Sequence, residues 1–366
     1  MKKILVLGQT PPPFGGQAIM IKCLLDGSYK NARLYHARMS FSRDMDDMGR
    51  LRLGKLLHAV AVIGKVACLR LRHNIRILYY PPSGPDFRPM LRDMVILVAI
   101  RWMFRKTIFH FHAAGTSELY AKLPGYLKVV YRWSYFSPDV AIQLSDFNPD
   151  DGGALHSKLK LVIPNGIEDE YLPLNFAGRK ERMVCSILFV GLICESKGIL
   201  VLIEAVRLAK NSGLRVKVNV VGKFVSEEFR QTIVDRLASG GLSEDFEFLG
   251  VLTGHAKNEQ YMNADFFCFP TFFESESFGL VVLEAMQFCL PVIATKWRGV
   301  QSLVQDGETG YLVPPRDSRV LADRISALAS DPELREKLGM NGRSQFLDKY
   351  TLEKFYARMD ECFATV

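Results

Sequence analysis

The chain holds 366 residues, 48% hydrophobic and 23% charged, enough to bury a large core and too many for one ordinary α/β domain, so two domains are expected. Its seven cysteines are scattered without a close pair, which excludes a disulfide framework or a zinc cluster and points to a reducing compartment. The net charge of +8 is unevenly divided: residues 1–170 carry 24 Lys and Arg against 14 Asp and Glu, a balance of +10, and the remainder carries 23 against 25, or −2. Only the first half is thus suited to an anionic surface or acceptor.

In chain order, the first predicted element is a strand over Ile4–Leu7. The apolar stretch of MKKILVLG is too short for a secretory signal and suits a buried strand, so no export is expected. Gly15 and Gly16 follow in TPPPFGGQA, where they form either a turn or a place of close backbone approach. Between Arg38 and Arg76, the cations Arg43, Arg50, Arg52, Lys55, Lys65, Arg70, Arg72 and Arg76 alternate with Leu53, Leu56, Leu57 and Val60 at helical intervals. Such a helix either lies on anionic lipid or covers a sheet with a solvated basic face. Asp44 and Asp46 mimic a metal-binding D-x-D, but no clear strand precedes them, and no metal is expected there.

Strands are then predicted over Ile77–Tyr80, Thr107–His112, Val140–Leu144 and Lys160–Ile163, with helical patterns between several of them. The longest apolar run, Met94 to Ile100, stops at Arg101, too short to cross a bilayer. A polar linker from Glu168 to Glu181 interrupts the pattern, which restarts with strands over Ser186–Val190, Val216–Val221, Phe246–Leu249, Phe266–Phe269, Pro291–Ala294 and Gly310–Val313. Alternating strand and helix implies two doubly wound parallel sheets in tandem, with a ligand crevice at the carboxyl ends of their strands. The expected division is residues 1–170, residues 171–345, and a terminal segment 346–366 whose helix packs back across the cleft. No short repeat or low-complexity segment is present.

Candidate chemistry concentrates in FPTFFESESFGLVVLEAMQFCLPVIAT, residues 269–295. A helix starting near Ser277 or Phe278 would leave the amides of Phe278, Gly279 and Leu280 unpaired, a place for a diphosphate, and glycine would permit its close approach. Glu276 and Glu284 are separated by about 12 Å of helical rise, so they cannot share one proton or metal and would bracket an extended ligand. The bland alternative is a pair of solvated surface carboxylates. Of His110 and His112, the second is nearer the strand's carboxyl end, where the Ala-Ala-Gly loop begins.

The order E-S-F-G-L-V-V-L-E, then A-M-Q-F-C-L-P-V-I-A-T, then D-G-E-T-G-Y-L-V-P-P-R-D closely resembles the retaining glycosyltransferases of family 4, which have the GT-B fold. TPPPFGGQA, HFHAAG, VIPNGI, FVGLICESKG and FLG extend the resemblance, in order, over nearly the whole chain. It implies two Rossmann-like domains facing each other across a cleft, and transfer of a hexose from a nucleotide-diphosphate sugar to a glycan or lipid-linked acceptor in surface polysaccharide or glycolipid assembly. It further implies catalytic roles for Glu276, His112 and Lys197. Donor contacts fall to Gly16, Gly191, Leu252, Phe278, Gly279, Leu280 and Glu284, and an acceptor-side place to Gly15. Glu276 would hold sugar hydroxyls, Glu284 the ribose, Lys197 the departing diphosphate.

No cofactor, metal or nucleic-acid partner is implied, and the expected location is cytoplasmic, peripheral on the inner face of a membrane that the basic first half would meet. One departure stands out: where the family commonly has Gly-Arg, Gly191 is followed by Leu192, leaving one cation at the phosphates unless Arg298 substitutes. Two other readings stay open, a sugar-nucleotide epimerase of the same fold and a noncatalytic nucleotide-sugar-binding protein. The donor base, the hexose and the linkage leave no mark in these motifs.

Overall fold

The computed structural model describes residues 1–12, 14–39, 53–171 and 184–366. Arg43, Asp44, Asp46, Arg50, Arg52 and residues 172–181 of the expected linker lie outside the described residues, as do the side chains of Leu53, Lys55, Leu56 and Leu57. The chain divides into two compact units, Met1–Asn165 with Leu352–Val366, and Gly166–Thr351. The terminal segment therefore begins at Leu352 rather than at 346, because the helix Pro332–Lys349 stays with the second unit.

The first unit is built on strands β1 (Lys2–Gly8), β2 (Ala32–Arg38), β3 (Ile77–Tyr80), β4 (Lys106–Phe111), β5 (Val140–Gln143) and β6 (Leu159–Val162). All pair in parallel, in the order β2-β1-β3-β4-β5-β6. Strand β2 had no counterpart in the sequence reading; it is an edge strand, ARLYHAR, and its half-exposed charged residues hide the period of two.

Helices at Leu53–His73, Phe87–Ile100 and Gly125–Tyr135 connect β2 to β3, β3 to β4 and β4 to β5. Each step moves the same way across the sheet, so right-handed crossovers place all three on one face. There Leu5, Leu7, Leu78, Tyr80, Phe109 and Phe111 form one core with Ala59, Val62, Val66, Met94, Tyr131 and Tyr135. The basic helix thus covers the sheet, with Ala59, Val62 and Val66 turned inward. The last helix, Leu352–Thr365, also packs on this unit: the Tyr29 ring meets Phe363 edge-on at 5.1 Å, and Asp360 accepts from the Asn31 amide at 2.9 Å.

The second unit carries β7 (Cys185–Val190), β8 (Val216–Val221), β9 (Phe246–Gly250), β10 (Phe266–Phe269), β11 (Val292–Thr295) and β12 (Gly310–Val313). The parallel order is β12-β11-β10-β7-β8-β9, so the direction of winding reverses at β7 and β10. Ligands of such sheets bind outside the carboxyl ends of the strands at that reversal. The central strands β7, β10 and β11 are nearly continuous apolar runs because helices cover both faces, whereas β8 and β9 toward the edge carry Lys217 and Glu247; Ile187, Phe189, Val218, Val220, Phe266 and Cys268 are all buried. Side chains fix several helix starts: Asp331 accepts from the Leu334 amide at 2.9 Å ahead of Pro332, and Asp317 from the Val320 amide at 3.0 Å. None of the seven cysteines forms a disulfide. Among the described residues, no helix is long and apolar enough to cross a membrane.

Candidate active site

The loops leaving β7, β10 and β11 meet at the carboxyl edge of the second sheet, and hydrogen bonds to backbone carbonyls tie them together. The Phe272 amide donates to the Ser196 carbonyl at 2.7 Å, the Thr295 hydroxyl donates to the Thr271 carbonyl, and the Trp297 indole donates to the Phe273 carbonyl at 2.8 Å. These ties bring Lys197 and Glu276, distant in sequence, into a direct ion pair with side chains only 16% and 11% exposed. The Lys197 ammonium also lies 4.8 Å from the Phe273 ring centroid and 5.4 Å from that of Phe269. Aromatic faces and one carboxylate so hold a cation at the strand ends in reduced solvent, where it is worth more to an arriving anion than a surface lysine.

Glu284 has its own partners: Lys257 donates to one oxygen at 2.7 Å and the buried Tyr261 hydroxyl to the other at 2.7 Å. Burial, reinforced by the Glu284 charge, pushes the Tyr261 phenol well above its ordinary value, so it remains a donor. Glu276 and Glu284 are therefore neither solvated surface carboxylates nor a shared-proton pair; each is compensated by a separate lysine.

The helix between them starts later than the sequence suggested. It runs Leu280–Gln287, with Gly279 before it at φ +90°, a conformation that L side chains rarely adopt. Phe278 stands outside the helix, nearly fully buried, its ring edge-on to Tyr350 at 6.0 Å. Its packing wins over helix entry, and the amides left without an intrahelical acceptor are those of Gly279, Leu280 and Val281 rather than Phe278, Gly279 and Leu280.

Gly191, at the end of β7, belongs to a bare backbone rim. Its amide donates to Val221 O at 3.0 Å, and the Gly222 amide donates to Gly250 O at 2.8 Å. A Cβ at Gly222 would stand 1.8 Å from Gly191 O, so only glycine fits there. The sequence reading missed Gly222, Lys257 and Tyr261. The glycine was signalled by V-V-G repeating the F-V-G end of the neighbouring strand; nothing local marked the other two. Leu252 is half-buried in the turn between β9 and the helix Gly254–Asn263. Arg298 opens a short turn after β11 at φ +41°, its guanidinium 5.8 Å from the Trp297 ring centroid.

Gly15, Gly16 and His112 lie in the first unit. Gly15 precedes the helix Gly16–Asp26 and its carbonyl accepts from the Ile19 amide at 3.0 Å, so the glycine pair starts a helix rather than making a free turn. His112 directly follows β4, stacked on His110 at 4.0 Å, and both rings share the Tyr79 hydroxyl, at 2.6 Å from His110 and 3.5 Å from His112. Burial pushes His112 down to about 3, so its imidazole is neutral at physiological pH. Asp151 anchors the loop beyond, accepting from the amides of Gly115 at 2.9 Å and Ser117 at 2.6 Å. Asp150 and Asp306 are likewise local supports, accepting from Gly153 at 2.8 Å and Leu312 at 2.9 Å.

The family model described as "Glycosyl transferases group 1" matches residues 178–345. The capsular polysaccharide biosynthesis glycosyltransferase CapM of Staphylococcus aureus is 32% identical over 184 residues, covering 48% of this chain and 45% of that protein. The phosphatidyl-myo-inositol mannosyltransferase of Mycobacterium leprae (strain TN) is 35% identical over 178 residues, 48% of this chain and 46% of that protein. The matched region thus spans about half the length of these curated relatives. Among solved structures, Anabaena Alr3699/HepE in complex with UDP-glucose superposes with a TM-score of 0.73 at 18% identity, over 100% of both chains.

Proposed function

Residues 178–345 of this chain belong to the glycosyl transferases group 1 family and its two parallel-sheet units are those of the GT-B fold, and from that premise we propose that the protein transfers a hexose, with retention, from a nucleotide-diphosphate sugar. The acceptor is a glycan or a lipid-linked acceptor of surface polysaccharide or glycolipid assembly, a class suggested by the names of the two curated relatives. The observation that carries the reading is the largely buried Lys197–Glu276 pair near the start of the helix whose first amides, those of Gly279, Leu280 and Val281, lack an intrahelical acceptor. A diphosphate on those amides competes with Glu276 for Lys197, and the released carboxylate accepts from donor sugar hydroxyls. Glu284 does the same for ribose.

Lys197 then offsets the charge that develops on the leaving diphosphate, with Arg298 as a second cation in place of the arginine that Leu192 replaces. The acceptor hydroxyl attacks from the face the nucleotide leaves, and a phosphate oxygen takes its proton, so neither a protein base nor a metal is required. His112, neutral, serves as a hydrogen-bonding group and not as an acid. UDP-glucose, bound by the Anabaena protein, is the first donor to try. The protein acts in the cytoplasm, peripheral on the inner face of the membrane, where the +10 balance of residues 1–170 meets anionic lipid.

A thermal-shift panel of nucleotide-diphosphate sugars identifies the donor, because ligand that binds only the folded state raises the unfolding temperature. With that donor, Glu276→Ala is expected to cut transfer by about a hundredfold or more in the presence of a chelator, with folding intact. Full transfer by the variant removes the assigned role; conversion of donor to an isomeric sugar nucleotide without acceptor removes the reaction class.

A further inference from the structure

Two helices on one face of the first unit turn apolar side chains outward. On Phe87–Ile100 and the turn that follows, Val95, Val98 and Trp102 are 55%, 38% and 78% exposed. On Gly125–Tyr135, Tyr126, Val129 and Trp133 are 73%, 54% and 72% exposed. Both trios follow the spacing i, i+3, i+7, so each forms a stripe along one side of its helix.

Arg101 joins the stripes: its guanidinium donates to the Ser134 carbonyl at 2.9 Å and the Ser137 carbonyl at 2.9 Å, which brings the adjoining Trp102 to the end of the second helix where Trp133 stands. The Trp102 indole donates to the Ala99 carbonyl at 2.8 Å, so the most exposed ring of the stripe has a fixed orientation. Neither helix needs these side chains for its core, which Met94, Leu97, Tyr131 and Tyr135 already fill. Exposed tryptophans on adjoining helices are unusual for a face that meets only water.

The charge around the stripes is predominantly positive. Residues 87–136 contain eight Lys and Arg and two acids, one of which, Asp93, is fully buried. Arg88, Arg105, Lys122 and Arg132 are exposed among or beside the apolar side chains. We propose that this face docks the protein on an anionic phospholipid surface, with Trp102, Tyr126 and Trp133 at the depth of the headgroups and the cations against the lipid phosphates. Amphipathic rings with one polar edge sit at that depth, and basic side chains add attraction that scales with surface charge. A second copy is a poorer occupant, since a two-fold contact would set these cations against their own symmetry mates.

The inference deepens the reading of an acceptor reached at a membrane and rests on it only for the location. It moves the contact from the helix Leu53–His73, which the basic sequence pattern first suggested, to the two helices that follow it across the same face.

The test is co-sedimentation of the full chain with vesicles of phosphatidylcholine alone and of phosphatidylcholine with phosphatidylglycerol. Binding to the anionic vesicles is expected, with a blue shift of tryptophan fluorescence that persists in Trp297→Phe. In the double variant Trp102→Ala, Trp133→Ala the vesicle affinity should fall about tenfold or more, because binding scales with the apolar area inserted. Trp102→Phe, Trp133→Phe should keep most of it. Unchanged thermal unfolding and unchanged release of nucleotide from a soluble donor show that the two double variants at Trp102 and Trp133 are folded with the transferase site intact. Equal sedimentation of wild type and the alanine variant overturns the proposal, as does no binding to either vesicle, or a dimer that the alanine variant dissolves. Absence of nucleotide release from wild type defeats the transferase reading instead and leaves the vesicle result standing.

Discussion

His112 shows how far one residue's surroundings change what it can do. On the sequence it is a histidine at a strand end, suited to proton transfer near neutrality; in the fold, burial holds it neutral down to about pH 3. Burial, and then the neighbouring His112, pushes His110 well below its ordinary value too. In the unfolded chain both rings take up a proton below about pH 6.5. The unfolded state then holds more protons than the folded one, so this contribution to stability is whole above about pH 6.5 and is lost as the pH falls toward about 3. His112→Asn should flatten the decline of unfolding free energy between about pH 6 and about pH 4, read by denaturant titration at each pH. An unchanged slope would show that His112 is protonated in the folded protein. The same scale explains why Glu276 and Glu284 behave independently: each has its own lysine, of which Lys197 was legible in FVGLICESKG while nothing local marked Lys257.

At the scale of elements, the loop and helix from Thr271 to Gln287 do most of the positioning. Gly279, held at φ +90°, lets the chain turn from the buried Phe278 into a helix whose first amides are free. Alanine there must adopt a left-handed conformation at a cost of about 1–2 kcal/mol, and its Cβ would stand 3.2 Å from the Phe269 ring. Gly279→Ala should therefore lower the unfolding temperature by a few degrees, and weaken donor binding by more than that loss of stability accounts for, measured by calorimetric titration. The F-G-L spelling made this turn legible in the sequence. Its boundary was not, because whether Phe278 joins the helix depends on Tyr350, far along the chain. Strand β2 went unread for a related reason: at a sheet edge, pairing with β1 rather than an apolar pattern defines it.

For the whole molecule, each unit has a hydrophobic core of its own among the described residues, which implies two cooperative transitions. The lysine, carboxylates and helix amides of the proposed donor site all belong to the second unit. A saturating nucleoside diphosphate should raise only the transition assigned to Gly166–Thr351, by about 2.7 kcal/mol of stabilisation at a hundredfold excess over Kd, as read by scanning calorimetry. A shift confined to the other transition would place the nucleotide elsewhere.

The tandem sheets, every strand but the edge strand β2, and the Glu276 to Glu284 segment were legible in the sequence alone, because hydrophobic period and loop spelling are local properties that survive any packing. The partners of those glutamates, the neutral state of His112, the return of the last helix to the first unit and the outward tryptophans were decided only by tertiary structure. Each depends on which distant side chains a residue meets, and so on burial and dielectric that no short stretch of chain contains.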